Sequence, residues 1–274
     1  MTITAAIVRS EYRSLLHSAL IGILPAALAL VAVAWLAVDR LPLGVLYTGK
    51  VLVVFSAGAA LMLLGLPKHH PFDTIGPANQ ATVIRGALVA LLAGLIGEPA
   101  HGGVPALATA TAIIATLLDG VDGWLARRSQ MSSGFGARFD METDALLIAV
   151  LATLAWQFGK VGAWVLLSGL LRYLYIAAGA LLRWLRGPLP PSYLRKTIAV
   201  VQTIALIVVI APFSTRAQSA LVAAMALIAL VLSFLHQIIW LWRHPSPANG
   251  AQTSSPTARI SATALLRVTT PSRR

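Results

Sequence analysis

No cysteine occurs among the 274 residues, which excludes disulfides, thiolate nucleophiles and Cys-ligated zinc or iron-sulfur sites. Charge is scarce as well: Asp, Glu, Lys and Arg make up 11% of the chain, and only nine residues are acidic. No Walker-type G-x-x-x-x-G-K, no dinucleotide G-x-G-x-x-G in a supporting context and no Ser-His-Asp order is present, which argues against a P-loop machine or a hydrolase triad. What is abundant is apolar surface, with 58% hydrophobic residues and a mean hydropathy of +0.81. That composition belongs to a multi-span membrane protein rather than to a soluble domain. The formal charge of +12 is spread between apolar runs without an aromatic-interleaved basic face, so no nucleic-acid partner is expected.

A hydrocarbon layer about 30 Å thick takes roughly 20 helical residues to cross, and eight runs meet that need. They are Leu15–Val38, Leu43–Leu66, Ala78–Gly97, Val104–Ala126, Gly136–Phe158, Val161–Leu182, Leu194–Phe213 and Ala217–Leu241. The first follows Arg9 and Arg13 but exceeds the apolar core of a signal peptide, so it reads as a retained span. Lys and Arg accumulate on the cytoplasmic side. With both termini inside, Arg9, Arg13, Lys68, Arg127, Arg128, Arg183, Arg186, Arg195, Lys196 and Arg243 all fall on that side, and the outer connections keep little beyond Arg40, Lys160 and Arg216. The expected location is the cell (inner) membrane. The expected organisation is a two-span hairpin over 1–66, a cytoplasmic linker over 67–77, six further spans over 78–242, and a basic tail over 243–274. That tail is too polar and Pro-rich to offset its ordering entropy, so disorder is expected from about residue 245.

Five of the nine acids lie within residues 119–144, in the pattern D-x-x-D-G-x-x-A-R-x8-G-x3-D-x3-D. At 100° per residue, Asp119, Asp122, Gly123 and Ala126 fall within about 100° of one helical face, with Arg127 beside them. Gly136, Asp140 and Asp144 form a narrow stripe on the next helix. An antiparallel hairpin of the two helices turns the stripes toward each other. Each carboxylate near the membrane interior costs about 2.5 to 3.5 kcal/mol on insertion scales, so a positive charge must offset them. All-oxygen ligands favour Mg2+, Mn2+ or Ca2+. Four carboxylates exceed what one Mg2+ takes from a protein, which suggests two ions about 3.5 to 4 Å apart. Gly123, Ala126 and Gly136 leave room for a flat or bulky group, and Arg127 offers a fork to a phosphate. These are components of in-line displacement at phosphorus. Asp144, last in its stripe, is the candidate base for an attacking hydroxyl.

Asp119-Gly120-Val121-Asp122-Gly123-Trp124-Leu125-Ala126-Arg127, with Gly136, Asp140 and Asp144 in register, resembles the signature of the CDP-alcohol phosphotransferases at all eight fixed positions. The resemblance implies an all-α polytopic protein with a six-helix core, here carrying two additional N-terminal transmembrane helices. It further implies that Asp119, Asp122 and Asp140 hold two divalent cations, Mg2+ or Mn2+, while Asp144 completes the cluster and acts as general base. CDP would lie against Gly123, Ala126, Arg127 and Gly136. Asn79, Thr82 and Arg85 resemble the family's N-x-x-T-x-x-R stretch, where Asn79 and Thr82 would approach the metals or the nucleotide. Ala78 departs from the Pro that would precede this Asn, and the motif does not explain the two extra spans. A homodimer is implied by the resemblance alone.

The function expected is transfer of a phosphatidyl group from CDP-diacylglycerol to an alcohol with release of CMP, the acyl chains lying in a hydrophobic groove between helices. The alternative is a cation transporter or channel using the aspartates as an ion site, against which the clustering of acids at one membrane face weighs. Structural ion pairing with Arg127, Arg128 and Arg138 is the plainer alternative for the acids. Glu142 lies roughly opposite Asp140 and Asp144 on its helix, so a structural role is expected there. Arg195 and Lys196, at the same level as the aspartates, could hold an anionic acceptor or serve as positive-inside anchors. Arg172 faces either a polar cavity or the bundle interior. Lys50 is expected to snorkel, and His69, His70 and His236 to be incidental.

Overall fold

A computed structural model describes residues 2–69, 76–129, 134–187 and 193–244. The tail expected to be disordered, His70 and the loop 130–133 lie outside them. Eight long helices correspond one to one with the eight apolar runs, and no strand occurs among the described residues. They are α1 (Thr2–Arg40), α2 (Tyr47–His69), α3 (Pro77–Gly94), α4 (Val104–Ser129), α5 (Gly134–Gln157), α6 (Leu167–Leu181), α7 (Tyr193–Ile210) and α8 (Arg216–Arg243). Leu28, Leu61, Leu64, Leu117, Leu221 and Met225 point outward and are exposed, a surface suited to lipid and not to water. The chain is a multi-pass membrane protein.

Boundaries follow local chemistry. Helix α3 starts where Pro77 occupies the first turn after an extended Gly76, a position at which the missing N–H costs nothing. It stops three residues before the expected Gly97, which takes φ +87°, a conformation that glycine tolerates best. Helix α8 opens with a reciprocal cap: the Gln218 N–H donates to Thr215 Oγ1 at 3.3 Å, and the Thr215 N–H donates to Gln218 Oε1 at 3.1 Å. Helix α1 begins at Thr2, thirteen residues before the expected Leu15. The sixth span opens with a 3-10 turn over Ala163–Leu166 before α6 proper.

Among the described residues five stretches are long and apolar enough to cross a membrane unaided: His17–Arg40, Tyr47–Leu66, Val104–Val121, Ala163–Leu181 and Arg216–Arg243. Helices α3 and α5 fall short because they carry polar residues, Asn79, Gln80 and Arg85 in the first and Asp140, Glu142 and Asp144 in the second. For α3 and α5 the position in the bundle explains how they manage. Helix α3 packs against α1, α2, α4 and α5, and α5 against α2, α3, α6 and α7, so neighbours replace lipid over much of their surface. At α5 and α6 the approach is close: a Cβ on Gly169 would lie 2.6 Å from the Ala149 Cα, the small-residue packing typical of membrane interfaces.

The end of the bundle remote from the aspartates is tied by polar side chains. Glu98, in the loop after α3, accepts from the Gly44 N–H at 2.6 Å and pairs with Lys50. Lys50 also donates to the Ile96 carbonyl at 2.9 Å, so it is a tether between α2 and the α3–α4 loop instead of the snorkelling chain expected. Gln157 donates to the Leu95 and Glu98 carbonyls at 3.1 and 2.8 Å and accepts from the Gly97 N–H at 2.7 Å. Lys160 donates to the Ala211 and Ser214 carbonyls at 3.1 and 2.6 Å. Burial penalises the Glu98 charge, yet the Gly44 N–H and the Lys50 ammonium outweigh it and hold the carboxyl below the usual glutamate range.

Candidate active site

Helix α4 delivers Asp119 two to three turns before its end, and α5 delivers Asp140 and Asp144 from its second and third turns. Asp119 therefore stands near the end of the stretch Val104–Val121 that can span the membrane. One carboxylate oxygen from each of Asp119, Asp140 and Asp144 lies within 4.8 Å of the others. The three side chains are 33%, 40% and 43% exposed, respectively, so the cluster is open on one side.

The stripes of α4 and α5 converge as expected, through Asp119, Asp140 and Asp144. Among the described residues α4 and α5 do not pack closely on each other, and each packs instead on α3 and α7. Between the two sets of acids stands Arg85 of α3, whose side chain is 1% exposed. Its Nη1 lies 2.9 Å from Asp119 Oδ1 and 2.5 Å from Asp140 Oδ1, and its Nη2 pairs with Asp144 Oδ1. A single guanidinium thus reaches carboxylates from both helices, a geometry its rigid fork permits. The compensating charge was expected from divalent ions, with Arg127, Arg128 and Arg138 as the plainer alternative, and Arg85 was given no charge-balancing role. The available signal was a lone cation in an apolar run, spaced with Asn79 and Thr82 at every third residue, because an intramembrane charge needs a named partner.

Among the described residues three carboxyl groups meet one guanidinium, and the metal-ligating atoms of the cluster are all carboxylate oxygens, the set that hard divalent cations prefer. The residues fit such a cation. Asn79 and Thr82 are buried on the same helix as Arg85, and the Thr82 hydroxyl donates to the Ala78 carbonyl at 3.1 Å. Gly123 in α4 and Gly136 in the first turn of α5 are half-buried. The backbones of Asp122, Ala126 and Arg127 continue α4, but their side chains lie outside the described residues. Arg195 is half-buried and Lys196 exposed in the first turn of α7. Glu142 turns away from the cluster and pairs with Arg172 of α6 at 2.5 Å, which answers the question of what Arg172 faces.

Helices α3 and α5 also help to line an apolar groove. Its walls are Ile23 of α1, Val54, Phe55, Gly58, Ala59 and Met62 of α2, Val83 and Gly86 of α3, and Phe139, Thr143 and Leu146 of α5. Gly86, Phe139 and Thr143 adjoin Arg85, Asp140 and Asp144 in sequence, so the groove and the charged site share two helices.

Fold and site together define an all-helical membrane protein with a carboxylate cluster at one end of its spans. A family model for CDP-alcohol phosphatidyltransferase matches residues 76–237. The match covers more than half of the chain, and the protein belongs to this family. No curated protein and no solved structure matches it. Membership makes the chain a transferase that moves a substituted phosphate from a CDP-alcohol to an alcohol acceptor in a lipid environment. Helices α1 and α2 precede the matched segment.

Proposed function

We propose that this protein transfers the phosphatidyl group of CDP-diacylglycerol to an alcohol and releases CMP, as a step in phospholipid synthesis. The observation that carries this reading is the convergence of Asp119, Asp140 and Asp144 within 4.8 Å, in a site that shares α3 and α5 with a groove whose lining is almost wholly apolar. A headgroup donor and its acyl chains need those two environments side by side. Asp119, Asp122 and Asp140, completed by Asp144, are the residues to hold two divalent cations, Mg2+ or Mn2+. Such cations, when bound, supply Lewis-acid stabilisation to pyrophosphate oxygens.

Asp144 accepts the proton of the acceptor hydroxyl. The new O–P bond forms as the bond to the CMP oxygen breaks, and CMP leaves with the electron pair. Asn79, Thr82, Gly123, Ala126, Arg127 and Gly136 line the CDP side, and Arg195 with Lys196 receives an acceptor bearing a phosphate or carboxylate. The distribution of Lys and Arg supports a cytoplasmic site with both termini inside, in the cell (inner) membrane. The unit division proposed is 1–66, 67–77, 78–242 and 243–274, and the assembly a homodimer.

Purified protein incubated with CDP-diacylglycerol, Mn2+ and a panel of alcohols should release CMP and yield one lipid product identifiable by mass. Asp119→Asn and Asp144→Asn, still folded in detergent, should lose at least about a hundredfold in rate, the scale of a removed general base. CMP release at the wild-type rate by either variant would sink the proposal. Metal-dependent ion flux in vesicles without CMP would favour the transporter reading instead.

A further inference from the structure

Two helices that do not pack closely on each other nevertheless present carboxylate oxygens within 4.8 Å. Like charges at that distance repel, so something must hold them. The side chain in place to do so is Arg85, almost fully buried on the helix that packs against both.

We propose that Arg85 is the internal counter-cation of the site, a positioning residue that assembles the carboxylates of α4 and α5 in the metal-free protein and cedes part of its hold when a divalent cation binds. The inference rests on the metal-binding reading given above. Arg85 approaches the Oδ1 atoms of Asp119, Asp140 and Asp144. Each carboxylate has two oxygens and about four acceptor sites, so a cation can take oxygens that the guanidinium leaves open. It must then share those carboxylates with a positive neighbour. Arg85 therefore does two opposed things: it keeps the metal-free bundle from being forced open by charge repulsion, and it weakens cation binding. A site so arranged retains its shape through metal loss and exchanges its cations readily.

The test is Arg85→Met, read by Mn2+ binding through the loss of the free-ion EPR signal and by thermal unfolding with and without chelator. The variant should unfold at lower temperature than wild type in chelator, regain more of its Tm on adding Mn2+, and bind Mn2+ about tenfold more tightly or better. The linkage between ligand affinity and apparent stability ties the last two results together. Unchanged Mn2+ affinity with an unchanged metal-free Tm overturns the proposal, as does weaker binding with an unchanged metal-free Tm. If Arg85→Met does not fold, the double variant Arg85→Met, Asp144→Asn decides. It removes one charge of each sign, should fold, and should still unfold at lower temperature than Asp144→Asn alone in chelator, because Asp119 and Asp140 keep their repulsion without the guanidinium; equal metal-free Tm values for the two overturn the proposal. A double variant that also fails to fold shows that charge is not what Arg85 supplies. Wild-type protein that binds no Mn2+ at all fails the metal reading itself, whereas wild-type binding with an Arg85→Met variant indistinguishable from it fails this inference alone.

Discussion

Replacing Lys50 with Met tests whether the N-terminal hairpin is fastened to the rest of the bundle by a buried ion pair. Glu98 is 7% exposed and keeps its charge because two donors face it, the Gly44 N–H at 2.6 Å and the Lys50 ammonium. Removing one partner of a fully buried pair costs about 3 to 5 kcal/mol. Lys50, however, is 35% exposed, and solvent screening discounts that figure. A charge-assisted hydrogen bond of about 1.5 to 3 kcal/mol is the better measure, giving about 2 kcal/mol. At about 2 to 4 °C per kcal/mol for a chain of this size, Tm should fall by roughly 4 to 8 °C at pH 7. The loss should also depend on pH with a definite sign. Because the folded-state Glu98 carboxyl titrates below its ordinary value, its pairing stabilises the fold above the unfolded-state pKa of about 4.3. That contribution disappears as pH falls through the folded-state value. The gap between wild type and Lys50→Met should therefore be wide at pH 7 and narrow as acid protonates Glu98, down to the share that the Lys50 bond to the Ile96 carbonyl supplies. Lys160→Met is the control, since Lys160 bonds carbonyls and has no carboxylate partner among the described residues. Its penalty should persist at low pH. Thermal unfolding in detergent, followed by the fluorescence of the seven tryptophans, reads all three proteins. A Lys50→Met gap of under 1 °C at pH 7, or one that does not narrow with acid, refutes the reasoning.

Gly58→Leu and Gly86→Leu should fill the apolar groove without a clash at Cβ, because no atom lies within 4 Å of an added Cβ at either position. Surrounding lipid is as apolar as the groove, so its filling should change chain selectivity more than overall affinity. In mixed micelles, both variants should shift the ratio of kcat/KM for short-chain over long-chain CDP-diacylglycerol upward by about tenfold, about 1.4 kcal/mol. An unchanged ratio would remove the groove from the donor site. Gly169→Ala should destabilise by about 1 to 2 kcal/mol, since overpacking against the Ala149 backbone exceeds the helix-propensity gain of about 1 kcal/mol. Gly58→Ala, the same change in open space, should raise Tm slightly. Equal Tm shifts for the two alanine variants would contradict the packing of α5 on α6.

The sequence by itself determined the helices and the aspartate stripes that two of them carry. An apolar run of about 20 residues has few choices in a membrane, because its backbone must satisfy its own hydrogen bonds, so the eight runs became eight helices, α1 extended by thirteen residues at its start and other ends shifted by caps and turns. The spacing of Asp140 and Asp144, four residues apart, likewise fixed their common face before any neighbour was considered. Which helices meet is another matter. Adjacency in the chain suggested that α4 and α5 pack together, but lateral order in a bundle depends on how all faces fit, and α3 meets both. For the same reason the partner of the acids could not be read locally: Arg85 lies 34 residues from Asp119 in the chain and becomes its neighbour only through the packing of α3. Lys50 and Glu98, 48 residues apart, follow the same rule. The groove is likewise a product of tertiary structure, since four helices contribute to its wall. Periodicity along one helix is a local property of covalent geometry, whereas charge pairing and enclosed space arise between helices and exist only once the bundle has closed.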